Sequence, residues 1–106
     1  MIVDKILRQF IEVAMFKNVS HAANKLCLSQ PTVTHNMKKL EESLGVQLLE
    51  RTSTGVKTTE YGDLLLEQAQ MMQRIYENTL TKLAFIKARQ VQSLRMGTGH
   101  AWWHLF

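Results

Sequence analysis

A short run of polar side chains near the middle of the sequence carries the groups best suited to hydrogen bonding with another molecule. An amide such as that of Gln30 can pair with the edge of adenine, and the hydroxyl of Thr34 can donate to a phosphate. Lys38 follows one helical turn later, where a positive charge suits phosphate better than bases. The candidate binding residues in this run are Ser29, Gln30, Pro31, Thr32, Thr34, His35, Lys38 and Lys39.

The charge pattern around this run indicates an anionic partner. The net charge of the 106-residue chain is +4, and no carboxylate occurs between Glu12 and Glu41. That interval holds four lysines and two histidines, so one stretch of the chain lacks negative charge. Such a stretch is typical of a surface that contacts nucleic acid phosphates. Arg51, further along, has a side chain long enough to reach a phosphate or a flanking minor groove.

Catalytic groups are not apparent in the sequence. We find no nucleophile with a neighbouring base, no glycine-rich phosphate loop and no convincing metal cluster, which argues against an enzyme and against a cofactor in this stretch. His100 and His104 stand four residues apart, but two ligands without a third are a weak metal signal, and chance explains them better.

Periodic apolar residues predict three helices that position the polar run. Residues 4–16 form the first, with Phe10 and Ala14 facing inward and Gln9 outward. Ser20 is the expected cap of a short second helix, and Cys27 lies in the connection that follows. Ser29 is the expected cap of a third helix, residues 30–44, with Pro31 in its first turn, a buried stripe ending at Leu44, and Gly45 ending the helix.

A small β-hairpin and a long helix complete the predicted architecture. Residues 46–50 and 56–58 are rich in β-branched residues and leucine and flank a polar turn, which predicts a wing. The mainly α fold is therefore a winged helix-turn-helix over residues 1–58, followed by a helix over residues 59–90. The third helix fits the major groove of DNA, which is about 12 Å wide.

The long helix carries a narrow apolar seam, which predicts a homodimer, because a lone helix of this length would leave the seam exposed to water. Ala69, Met72 and Tyr76 have an alternative, packing against the first helix within one chain. The seam residues are Leu65, Ala69, Met72, Tyr76, Leu80 and Leu83.

The last residues and the single cysteine give weaker indications. Residues 91–99 resemble a strand, and the apolar tail with Trp102 and Phe106 resembles the start of a second domain, so residues 91–106 are interpreted as its truncated beginning. Cys27 is the single cysteine, and we expect a buried thiol in a reducing compartment. The first residues lack a signal-peptide pattern, which favours the cytoplasm.

Three sequence segments together resemble the N-terminal domain of LysR-type transcriptional regulators. They are residues 20–26, residues 28–34 and residues 40–51, and residues 59–62 resemble the family's entry into its linker helix. The resemblance covers residues 2–96. It implies a winged helix-turn-helix, a dimer formed through the long helix, tetramers in the intact protein, double-stranded DNA as partner, and a small-molecule inducer bound by a domain that is not included.

The resemblance also implies which residues contact DNA: Gln30, Pro31, Thr34 and His35, then Lys38 or Lys39, and Arg51 in the wing. The chain departs from the family where Thr34 and His35 replace a serine followed by an arginine, because histidine lacks a permanent charge and a bidentate fork. Three alternatives remain: a merely solvated helix face with Lys38 and Lys39 paired to nearby glutamates, a protein-interaction module, and a nonspecific DNA binder.

Overall fold

The computed structural model describes residues 5–95, and these residues form helices and one hairpin in the order that the sequence predicts. The mainly α architecture with a small wing and a long final helix is confirmed. The elements are α1 (Lys5–Phe16), α2 (Val19–Leu26), α3 (Gln30–Leu44), β1 (Leu49–Arg51), β2 (Val56–Thr58) and α4 (Glu60–Arg95).

The hydrophobic core lies among α1, α2 and α3 and is closed by Leu48, just before the wing. Two expectations about burial were wrong. Gln9 is buried, because its side-chain oxygen accepts a hydrogen bond from Asn36 Nδ2 at 2.9 Å. Leu44 is 50% exposed, because it lies in the last turn of α3, beyond the core. The buried apolar residues of this core are Phe10, Val13, Ala14, Ala22, Ala23, Val33, Met37 and Leu48.

The ends of α3 follow the sequence prediction, but the start of α2 does not. Ser29 caps α3 by accepting a hydrogen bond from the Thr32 amide, and Gly45 ends the helix in the left-handed conformation. For α2 the cap is Asn18, whose side-chain oxygen accepts from the His21 amide at 2.9 Å, and Ser20 lies inside the first turn. Both residue types are good caps, and the extended backbone of Asn18 decides between them.

The wing is a two-stranded antiparallel sheet in which Leu49 pairs with Thr58 and Arg51 with Val56. The second strand has the predicted bounds, whereas the first begins at Leu49 instead of Val46. The difference arises because Leu48 packs into the core while the Glu41 carboxylate, on α3, binds the backbone amides of Leu48 and Leu49.

The described residues form two compact units that divide within α4, one ending at Gln73 and the other beginning at Arg74. Within the first unit, Leu65 and Leu66 pack against the core and Ala69 is completely buried. Within the second unit, several large apolar side chains of α4 are exposed, among them Ile75, Leu80 and Leu83. No helix in the described part of the chain is long and apolar enough to cross a membrane.

The end of α4 corrects one prediction. Residues 91–95 continue the helix to Arg95 instead of forming a strand. No proline or glycine interrupts this stretch before Gly97, so a single β-branched residue, Val91, does not stop the helix. The remainder of the predicted strand and the apolar tail, including Trp102, His104 and Phe106, lie outside the described residues.

Candidate nucleic-acid interface

One exposed face of α3 gathers most of the polar residues singled out in the sequence. Residues three or four apart lie on the same side of a helix, and here five of them line one open cleft at the surface. Of the five, Pro31, His35 and Lys38 are exposed on the side of α3 opposite the buried Val33. The five residues of this face are Gln30, Pro31, Thr34, His35 and Lys38. We call this set the α3 face.

Three other predicted contact residues are placed differently. The hydroxyl of Ser29 lies 2.7 Å from the hydroxyl of Thr32 and also accepts from the Thr32 amide, so both hydroxyls take part in capping α3. Lys39 is exposed, but it follows Thr32 by seven residues and therefore lies on the flank of α3 with it. Ser29, Thr32 and Lys39 are thus not among the residues that line the cleft at the α3 face.

The wing and the α3 face meet at a second cleft of about 330 Å³. Arg51 lines it from the wing, and Gln30, Thr34 and Lys38 line it from α3. The structure therefore brings Arg51 together with the predicted residues of α3, although they are more than ten residues apart in the sequence. Their side chains present two cations and two hydrogen-bonding groups to one surface.

Two carboxylates also line this second cleft, and each already has a partner. Glu41 accepts hydrogen bonds from the amides of Leu48 and Leu49 at 2.7 and 3.1 Å. Glu50 lies 3.7 Å from the ammonium of Lys57 across the hairpin. Because backbone donors and a lysine offset these negative charges, the cleft remains compatible with a polyanion.

The wing is fixed to the rest of the domain at both strands. On the β1 side, the Glu41 carboxylate holds the amides of Leu48 and Leu49. On the β2 side, the Val56 amide donates to the backbone carbonyl of Lys17, a residue that ends α1 in the left-handed conformation. These contacts set the position of Arg51 relative to α3.

Three residues that position the interface were not predicted to do so from the sequence, namely Ser20, Glu41 and Lys17. Ser20, in α2, donates a hydrogen bond to the side-chain oxygen of Gln30 at 2.7 Å. A signal for Ser20 is present in the sequence: Asn18 precedes it and can cap α2, which leaves the Ser20 hydroxyl without a capping role. The contact from Glu41 to the wing had no comparable signal, because it depends on how the chain turns after Gly45.

Two further residues, Cys27 and Lys25, differ from what the sequence suggests. Cys27 is exposed at the end of α2, in the left-handed conformation, so the expectation of a buried thiol was wrong. Lys25 pairs with Glu12 at 3.0 Å and lies 5.7 Å from the centre of the Phe16 ring. One cation of the stretch without carboxylates therefore already has an intramolecular partner.

The structure divides the predicted dimer seam. Ala69 is buried within the chain, which supports the intramolecular alternative for this residue. Leu65, which was predicted for the seam alone, also packs against the core of its own chain. Met72 is 42% exposed. Leu80 and Leu83, in the second unit, are 47% and 55% exposed and are free to pack against a partner.

Proteins of similar sequence match most of this chain. The regulator PcaQ of Agrobacterium fabrum is 36% identical over 91 residues, which are 86% of this chain and 29% of PcaQ. The regulator ClcR of Pseudomonas putida is 37% identical over 90 residues, 85% of this chain and 31% of ClcR. The chain thus spans less than a third of the length of these curated relatives.

Solved structures show the same fold, and a family model identifies it. The BenM DBD in complex with benA site 1 DNA superposes with a TM-score of 0.74 at 35% identity, covering 77% of this chain and 95% of that chain. The CbnR DBD–DNA complex gives 0.73 at 35% identity, covering 78% and 95%. The family model of bacterial regulatory helix-turn-helix proteins, lysR family, matches residues 5–63. The chain belongs to the lysR family of bacterial regulatory helix-turn-helix proteins.

Proposed function

We propose that this chain binds double-stranded operator DNA in a sequence-specific way and thereby regulates transcription. The observation that carries the proposal is the α3 face: exposed hydrogen-bonding and cationic side chains on one side of a helix, continuous with Arg51 of the wing. Relatives of this fold have been solved as complexes with DNA, which supports the same partner here.

In the proposed complex, the first turns of α3 enter the major groove and Arg51 reaches the neighbouring backbone or minor groove. Gln30 and Thr34, at the start of the helix, would face base edges, because the N-terminal residues of a recognition helix reach deepest. Lys38, one turn later, would neutralise a phosphate. Ser29, Thr32 and Lys39 would contribute from the flank, through the cap of α3 and through charge.

The proposal includes a homodimer formed through α4. Two copies of α3 would then read two half-sites about 34 Å apart, one turn of DNA, on a pseudo-palindromic operator. The exposed apolar residues Met72, Leu80 and Leu83 support this pairing, and tetramers are proposed for the intact protein. We further propose that the protein acts in the bacterial cytoplasm by binding and not by catalysis, and that a small-molecule inducer bound by another domain controls it.

Binding at two salt concentrations tests the proposal and separates bases from phosphates. On a site selected from a random pool, we expect Gln30→Ala to cost about 1 to 3 kcal/mol and to reduce preference over scrambled duplex, because it removes a base contact. Lys38→Ala should weaken both duplexes equally and lower the slope of log affinity against log salt by about 1, because one counterion fewer is released. Fluorescence anisotropy measures both effects.

Each alternative from the sequence gives a different result in this experiment. A parent affinity that barely changes with salt would contradict phosphate-driven binding and favour a protein-interaction module. Equal parent affinity for selected and scrambled duplex would indicate a nonspecific DNA binder. If Lys38→Ala left the salt slope unchanged, Lys38 would be ordinary surface charge.

A further inference from the structure

A single hydrogen bond joins the two helices of the helix-turn-helix motif at the α3 face. Ser20, the second residue of α2, donates from its hydroxyl to the side-chain oxygen of Gln30, the first residue of α3, over 2.7 Å. Both residues are exposed and line the cleft that also contains Thr34 and Arg51. The contact therefore lies within the proposed interface and not in the core.

The hydroxyl of Ser20 is available for this contact because another residue caps α2. Asn18 accepts the hydrogen bond from the His21 amide, a task that a serine often performs when it occupies the N-cap position itself. With the cap supplied by Asn18, the Ser20 hydroxyl can turn toward α3. Ser20 thus contributes to the geometry of Gln30 and not to the start of its own helix.

The consequence for Gln30 follows from the two ends of its amide. A primary amide has an oxygen that accepts and a nitrogen that donates two hydrogen bonds, and a rotation of 180° exchanges them. With its oxygen on the Ser20 hydroxyl, the Gln30 amide does not use its N–H groups in this contact, so they can donate to a partner. The orientation then decides which base edges Gln30 matches.

We propose that Ser20 is a positioning residue for base reading: it holds the Gln30 amide so that this amide acts as a hydrogen-bond donor toward the major groove. This role rests on the proposed function. Guanine, adenine and thymine present acceptors there, whereas cytosine presents the N4 amino donor. At the base nearest Gln30, the protein accordingly selects an acceptor and rejects cytosine. The base specificity of α3 is thus set partly by a residue of α2.

The test measures base preference at one position of the selected site. This is the position at which Gln30→Ala loses the most base preference relative to the parent. Four duplexes that differ only there are titrated against the parent, Ser20→Ala and Ser20→Thr. The parent and Ser20→Thr, which keeps the hydroxyl, should bind the cytosine duplex about tenfold less tightly than the best duplex. In Ser20→Ala the amide is free to rotate, and this discrimination should fall about three- to tenfold.

A matched control separates positioning from general damage. Ser43, an exposed serine of α3, donates its hydroxyl to the Leu40 carbonyl of its own helix. Ser43→Ala should leave the preference unchanged, and thermal unfolding should be the same for both alanine variants within a few degrees, since neither hydroxyl is buried.

Each outcome decides between the two proposals. If Ser20→Ala leaves the preference intact, or weakens all four duplexes equally, while Gln30→Ala abolishes it, the role of Ser20 is overturned and the proposed function stands. A parent preference for cytosine would show that Gln30 presents its oxygen, which also overturns the role. If Gln30→Ala changes no preference at any position, base reading by Gln30 itself fails.

Discussion

We expect Gly62→Ala to lower the free energy of unfolding by roughly 3 kcal/mol, because no space exists for a side chain there. Gly62 lies in the first turn of α4, where its backbone contacts the residue that leads into β1. An added Cβ would lie 2.2 Å from the Leu48 carbonyl oxygen and 3.0 Å from Thr58 Cβ. The oxygen already accepts from the Thr59 amide, so α4 must shift away from the wing.

Urea unfolding followed by helical circular dichroism measures this effect, with Gly45→Ala as the control. Gly45 has a positive φ of 72°, but a Cβ there would meet no atom within 4 Å. Backbone strain alone should cost Gly45→Ala about 1 to 2 kcal/mol. A loss in Gly62→Ala no larger than that in Gly45→Ala would contradict the claim that the close approach of α4 to Leu48 limits position 62.

The second large effect concerns dimerisation. We expect Leu80→Glu to convert the proposed dimer into monomer, because a carboxylate at an apolar seam loses hydration without gaining a partner. Glutamate is a good helix former, so α4 itself should persist. Operator affinity should fall by about two orders of magnitude or more. In a dimer, binding of one copy raises the effective concentration of the other at the second half-site, and a monomer lacks this linkage.

Sedimentation equilibrium measures the mass, and Asn78→Glu is the matched control. Asn78 is an exposed polar residue two positions before Leu80. Residues two positions apart in a helix are separated by about 200° around its axis, so Asn78 lies on a different side of α4. The control should therefore remain a dimer. If Leu80→Glu keeps the parent's mass, the seam lies elsewhere on α4, with Ile75 and Phe85 as the next exposed apolar candidates.

Local signals in the sequence predict much of this fold. The cap at Ser29, the proline in the next turn and Gly45 define α3 because each acts within a few residues of its own position. The α3 face follows from the same helix, since its residues share one side by periodicity. Arg51 was also identified as part of the interface, from its side-chain length and its place in the wing.

Contacts between distant residues explain what the sequence did not predict. Gln9 is polar and follows Arg8, yet it is buried, and its side-chain oxygen accepts a hydrogen bond from Asn36, 27 residues away. The start of β1 is shifted by Glu41, which binds two amides beyond the intervening turn. Ala69 fits an apolar seam by spacing alone, and only the packing of α4 shows that it is buried.

The anchoring of the wing by Glu41 on one strand and by Lys17 on the other has a practical consequence for protein engineering. Because Glu41 holds the hairpin at its base and Lys17 holds it at Val56, directly after the turn, the exposed tip at Ser53 and Thr54 can be lengthened, exchanged or labelled with a fluorophore while the strands keep their register. Exposed loop tips of this kind tolerate insertion well, since closing a longer loop costs little. Grafted tips thus offer a route to regulators with altered flanking contacts on an unchanged scaffold.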